Sequence, residues 1–146
     1  MTQSEQPIGR MLSGLGKGYL HLLRAKLQHL DIDRNYYALV LIESNDGNIT
    51  QQELALKLET DKVSIVRIID YLSGKGYVQR IRMSEDKRKH SLVLTPKAKL
   101  ALPEIKQSFD EINQIVMEGL NSSKVLVFTE TIKKMKSNLK ENNQAL

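Results

Sequence analysis

The stretch from Thr50 to Thr95 narrows the possible folds more than any other part of the chain. Thr50 has the side chain of a helix N-cap, and Glu53, three residues on, supplies the reciprocal acceptor of a capping box for a helix over 51–58. Leu54, Ala55 and Leu58 form one apolar face. Asp61 is placed to cap a second helix from Lys62 to about Lys75, which Gly74 and Gly76 bring to a stop. At about 100° per residue, Ile65, Ile68, Ile69 and Leu72 share one side and face inward, leaving Val63, Val66, Arg67 and Asp70 outward. A plain helical hairpin with a stray arginine on its wet face has the same local pattern, so the two helices alone leave both readings open.

The next residues add a different period. Tyr77 to Arg82 alternates, Ser91 to Leu94 gives a second β-like run, and Met83 to His90 forms the tip between them, with Lys87, Arg88 and Lys89 beside Glu85 and Asp86. Helix, tight turn, helix and basic hairpin is the order of a winged helix-turn-helix, and such a unit makes DNA the first partner to consider. Arg67 has the chemistry to donate to guanine or phosphate, and Val63 and Val66 to touch thymine methyl groups. Ser64 and Gln51 suit phosphate contacts, and Lys62, Arg82, Lys87 and Lys89 complete the basic set. A basic finger beside such a helix suits a flanking minor groove, where negative potential favours arginine.

Leu72, Gly76, Val78 and Arg80, then Asp86-Lys87-Arg88 and Leu92-Val93-Leu94-Thr95, resemble the signature of the MarR family of bacterial transcription regulators. The resemblance implies a homodimer of winged helix-turn-helix subunits that reads a pseudo-palindromic operator and is released by a small phenolic or other ligand. It also implies that Arg88 enters the minor groove, that Asp86 holds the wing in shape, and that Ser64 and Arg67 lie on the recognition helix. Val66 stands where the family often has Ser or Thr.

Composition agrees with a folded DNA-binding protein. The 146 residues are 40% hydrophobic and 27% charged, enough for one domain with a core. Eight basic residues lie between Lys75 and Lys99 against Glu85 and Asp86, an excess greater than the net charge of +5 for the whole chain. Positive charge is therefore concentrated on the wing and its flanks. With no cysteine there is no disulfide framework, thiolate nucleophile or cysteine-based zinc site. No signal peptide is visible and no run approaches the roughly 20 apolar residues that span a bilayer, so a cytoplasmic protein without membrane contact is expected. His21, His29 and His90 lack metal-ligand spacing, no nucleophile elbow occurs, and neither catalysis nor a cofactor is expected.

The flanks read as helices. From 8 to 30, apolar residues including Leu12, Leu15 and Tyr19 recur at helical spacing. Gly14, Gly16 and Gly18 lack the phosphate-loop spacings, and are expected instead to admit a close neighbouring helix. Asp33 is expected to cap a helix whose buried surface comes from Tyr36, Tyr37, Leu39, Val40 and Ile42, ending at Asn45-Asp46-Gly47. Asn48-Ile49 is expected as a short third strand. Pro96 suits a helix start. Leu102, Ile105, Phe109, Ile112 and Val116 step along one seam, and after a break capped by Ser123, Val125, Phe128, Ile132, Met135 and Leu139 step along another. These seams exceed what one small lobe can cover, so 8–30 and 97–140 are expected to form a dimerisation module around a DNA-binding lobe at 33–95, within a single domain of 1–146. The expected dimer interface comprises Leu12, Leu15, Tyr19, Ile105, Phe109, Ile112, Val116, Phe128, Ile132, Met135 and Leu139.

The fold class expected is thus mainly α with a small β-wing: a winged helix-turn-helix lobe plus N- and C-terminal dimerisation helices. The function expected is that of a sequence-specific double-stranded DNA-binding transcription regulator, and the resemblance implies a ligand-responsive repressor acting as a homodimer on a pseudo-palindromic operator. The alternative is a winged-helix dimer that binds a protein partner. By the resemblance, an effector, aromatic or otherwise, sits between the lobe and the dimer helices, with His21, Arg24, Tyr36 and Tyr37 as candidate contacts.

Overall fold

The computed structural model describes residues 6–83, 85–86 and 88–143. Among them lie α1 (Ile8–Lys26), α2 (Tyr36–Ser44), β1 (Ile49–Thr50), α3 (Gln51–Lys57), α4 (Lys62–Gly74), β2 (Val78–Arg82), β3 (His90–Leu94), α5 (Pro96–Val116) and α6 (Ser122–Asn143). The chain forms two compact units, divided after Ile112.

The first unit carries the winged lobe. The capping box forms: the Glu53 N–H donates to Thr50 Oγ1 at 3.1 Å and the Thr50 N–H to Glu53 Oε2 at 2.9 Å. Asp61 Oδ1 accepts from the Ser64 N–H at 2.7 Å and starts α4, and this bond holds the Asp61 carboxyl below its ordinary range. Ile65, Ile69 and Leu72 are buried on the inner face of α4, with Ile68 half-buried. Thr50→Ala removes the Oγ1 acceptor of the box, and denaturant unfolding is expected to show a loss of about 0.5–2 kcal/mol.

The sheet has strand order β1-β3-β2, all antiparallel. Ile49 pairs with Leu92, while Val78 pairs with Leu94 and Arg82 with His90. The short third strand thus exists one residue later than expected, and His90 belongs to β3 rather than to the tip. Gly76, at φ +82, makes the turn out of α4 in a conformation that side-chain-bearing residues rarely adopt. The Thr95 hydroxyl donates to the Gly76 carbonyl at 2.6 Å and accepts from the Ala98 N–H at 3.2 Å, so one residue closes the hairpin and caps α5.

Four local expectations are corrected. The first helix ends at Lys26 rather than 30, because the Leu30 N–H turns back to the Leu27 carbonyl and the chain bends to bury Leu27 and Ile32. Asn35, at φ 63, rather than Asp33 precedes α2; Asp33 Oδ1 instead accepts from the Tyr71 hydroxyl at 3.0 Å. Tyr37 is 52% exposed rather than part of the core, while Tyr36 is buried with its hydroxyl donating to the Ile32 carbonyl at 3.1 Å. Asn121, not Ser123, caps α6 through its Oδ1 and the Lys124 N–H at 2.8 Å.

A fifth correction concerns α5. Ile105 and Ile112, expected at a dimer interface, are fully buried in the protomer's own core with Leu23, Leu27, Leu39, Leu72 and Leu102. A heptad-like seam records that a face is covered, and here the covering residues come from the same chain. Phe109 is half-buried against Tyr19, with ring centroids 6.4 Å apart. Leu12, Leu15 and Val116 are exposed, and among the described residues nothing lies within 4 Å of a Cβ built on Gly14, Gly16 or Gly18. The expected close neighbour of these glycines is therefore not another segment of the described protomer.

The second unit contains α6, on which no residue is buried. Phe128 and Leu139 are exposed, Ile132 and Met135 half-exposed. No described helix is long and apolar enough to cross a membrane.

Candidate nucleic-acid interface

Amphipathic spacing puts the outer face of α4 in solvent. Val63 is 63% and Val66 40% exposed, Lys62 and Arg67 are exposed, and Ser64 is partly covered. Two methyl-bearing side chains and a guanidinium on one helix face can meet thymine methyls and hydrogen-bond acceptors together. The helix is braced from the sheet. Arg80 on β2 donates through its Nη2 to Asp70 Oδ1 at 2.8 Å and through Nε to Gln51 Oε1 at 3.2 Å. Gln51, expected to contact phosphate, therefore has its side-chain oxygen engaged with Arg80. Arg80 and Asp70 tie the wing, α3 and α4 together.

The wing tip is shaped by its acid. Asp86 Oδ1 accepts from the Arg88 N–H at 3.0 Å, the Asp86 carbonyl accepts from the Lys89 N–H at 3.0 Å, and the Lys89 carbonyl accepts from the Met83 N–H at 3.0 Å. This local Asx turn leaves the Arg88 side chain 97% exposed. Arg82 and Lys89 are exposed as well, and Lys87 lies outside the described residues.

A polar cluster not anticipated from the sequence joins the root of the wing to the α1–α2 connection. The Tyr77 hydroxyl donates to Asp31 Oδ1 at 2.7 Å, Lys97 Nζ donates to Asp31 Oδ2 at 2.6 Å and to the Lys75 carbonyl at 2.8 Å, and the same ammonium lies 4.8 Å from the Tyr77 ring centroid. These bonds from Lys97 and Tyr77 hold the Asp31 carboxyl below its usual range, while burial, followed by the bond to Asp31, raises the Tyr77 phenol. No local signal predicts such long-range pairs.

The effector candidates separate. Tyr36 and Tyr37 line a crevice of about 410 Å³ with Tyr19, Phe109, Asn35 and Glu59 among its other walls. Tyr37 meets Phe109 edge-on at 6.0 Å. Burial, with Asp110 adding negative potential, raises the Tyr19 phenol. Arg24 lies instead on a neighbouring polar hollow, its Nε donating to the Asp33 carbonyl at 2.7 Å, and His21 is exposed and lines neither. Among the described residues no group of three or more His, Cys, Asp or Glu is arranged to hold a metal ion.

A capped helix pair followed by a three-stranded sheet with a basic tip is a winged helix-turn-helix. A family model described as the MarR family matches residues 34–90, from the approach to α2 through the wing. A mutant MarR from E. coli complexed with operator DNA is 27% identical, with 88% of this chain and 93% of that chain covered at a TM-score of 0.78. A MarR transcriptional regulator from Methanosarcina mazei is also 27% identical, covering 92% and 96% at a TM-score of 0.76. A MarR protein from Peptoclostridium difficile shares the fold at a TM-score of 0.84 with 23% identity, covering 97% and 94%. Over residues 34–90 the chain is thus similar to the MarR family of transcription regulators, and over most of its length it shares their fold.

Proposed function

We propose that this protein is a sequence-specific double-stranded DNA-binding transcription regulator that acts as a homodimer on a pseudo-palindromic operator, with α4 as the recognition helix and Arg88 as the minor-groove contact. The observation that carries this reading is the exposed Val63–Val66–Arg67 face of α4, braced to a basic wing by Arg80. The operator complex of the E. coli relative supports it. Lys62, Ser64, Arg82, Lys87 and Lys89 supply the remaining positive or hydrogen-bonding surface, and Gln51 acts through Arg80.

Dimerisation accounts for apolar surface that a lone chain leaves in water. Ile8, Met11, Leu12 and Leu15 on α1 and Leu126, Val127, Phe128 and Leu139 on α6 are exposed, more than scattered surface residues require. We assign α1 and α6, with the exposed end of α5 at Val116, to the dimer, and the residues from Asn35 to Thr95 to the DNA-binding lobe. Two-fold symmetry sets paired recognition helices roughly 34 Å apart, one turn of DNA. An effector in the Tyr36–Tyr37 crevice changes that spacing and releases the operator, so the protein represses until its ligand arrives.

Binding to DNA upstream of its own gene, beside an unrelated duplex, tests the reading. Affinity is expected to favour the operator and to fall steeply with salt, since each neutralised phosphate adds about 0.9 to the slope of log K against log salt. Absence of binding to any duplex would overturn DNA recognition in favour of a protein partner.

A further inference from the structure

The ligand class follows from the walls of the crevice and from one unusual backbone position. The rings of Tyr19 and Tyr37 each meet Phe109 there, and among the residues lining it Glu59 is the single charged side chain. Asp110 adds negative potential at Tyr19. Arg24 acts on the Tyr36 hydroxyl from the neighbouring hollow, where Asp33 holds it. An aromatic carboxylate entering this crevice finds π faces and a carboxylate but no counter-charge in the walls. A positively charged aromatic molecule finds cation–π faces and an opposite charge.

Glu59 is also costly to keep. The Thr60 N–H donates to the Ala55 carbonyl at 3.0 Å and the Glu59 N–H to the Leu56 carbonyl at 3.2 Å, so α3 ends in a Schellman motif. Its left-handed position, φ 54, suits glycine, yet a glutamate occupies it. Asn35, on another wall of the same crevice, is likewise left-handed at φ 63. Backbone strain of this kind concentrates at ligand clamps and switches.

We propose that the crevice takes an aromatic ligand carrying a permanent positive charge, its ring against Tyr37 and Phe109 and its cationic head toward Glu59. This rests on the ligand-responsive reading above and specifies its effector chemistry. Glu59 and Thr60 belong to the turn between α3 and α4, so occupancy bears directly on the recognition helix.

Calorimetry on the full chain without DNA tests it, with benzyltrimethylammonium, benzyl alcohol and benzoate as probes. The cation is expected to bind tightest. Glu59→Gln weakens the cation about five-fold, the effect of losing an exposed ion pair of roughly 1 kcal/mol, and leaves benzyl alcohol unchanged. Glu59→Gly weakens the cation equally while leaving thermal stability equal or higher, because the turn is relieved. Benzoate binding as tightly as the cation, no response to Glu59→Gln, or no binding of the cation would each overturn the proposal. Operator release is a separate readout: a chain that takes the cation but ignores operator DNA fails as a regulator with its ligand site intact, and one that binds operator but not the cation fails here alone.

Discussion

Arg67→Ala is expected to cost about 1–3 kcal/mol on the operator and little on duplexes changed at the base pair it reads, whereas Arg88→Ala weakens every duplex and lowers the salt slope by about 1. The difference follows from how each side chain is held. Arg67 projects from a helix whose inner face is locked by Ile65, Ile69 and Leu72, so the proposed docking brings its guanidinium to the major groove with a defined direction. Arg88 hangs from a wing whose backbone is shaped by Asp86, with its side chain 97% in solvent, and in the proposed docking it supplies charge at a narrow groove rather than a fixed pair of donors. Titration of both variants against the operator, its single-base changes and an unrelated duplex, at two salt concentrations, separates the two roles. If neither substitution altered operator affinity, the docking of α4 and the wing would be wrong.

Features encoded within a few residues were legible before the structure. Thr50, Asp61 and, as the resemblance implied, Asp86 reach backbone groups that helical or turn spacing places nearby, and the outward strip of α4 follows from helical period alone. What was not legible depends on distant parts of the chain. Asp33 has the chemistry of a cap, but Tyr71, 38 residues away, takes its carboxylate, and the helix starts after a left-handed Asn35 instead. Ile105 and Ile112 have the period of a helix seam, and period alone does not say whether the covering surface comes from the same chain or from a second one. The candidate effector residues were scattered for the same reason. Tyr36 and Tyr37 share a crevice, but Phe109 and Glu59 reach it from α5 and the α3–α4 turn, while His21 falls outside it.

Replacing Ile69 with alanine is expected to lower stability by about 2–5 kcal/mol, because truncating a fully buried side chain on α4 leaves a cavity in the core cluster to which it belongs. In thermal unfolding this amounts to a drop on the order of ten degrees. The loss is internal to the protomer, so it should persist with the same size at every protein concentration. Phe128→Glu gives the opposite pattern. Phe128 is exposed in the single chain, so the substitution leaves the described core untouched, but it places a carboxylate on the α6 face assigned to the dimer. Mass action makes the midpoint of a dimer rise with concentration, and Phe128→Glu is expected to abolish that rise and shift sedimentation to the monomer. Operator affinity should fall with it, since one recognition helix alone reads half a site. A Phe128→Glu protein that stayed dimeric would remove α6 from the interface, leaving the burial of Ile69 as a property of the fold alone.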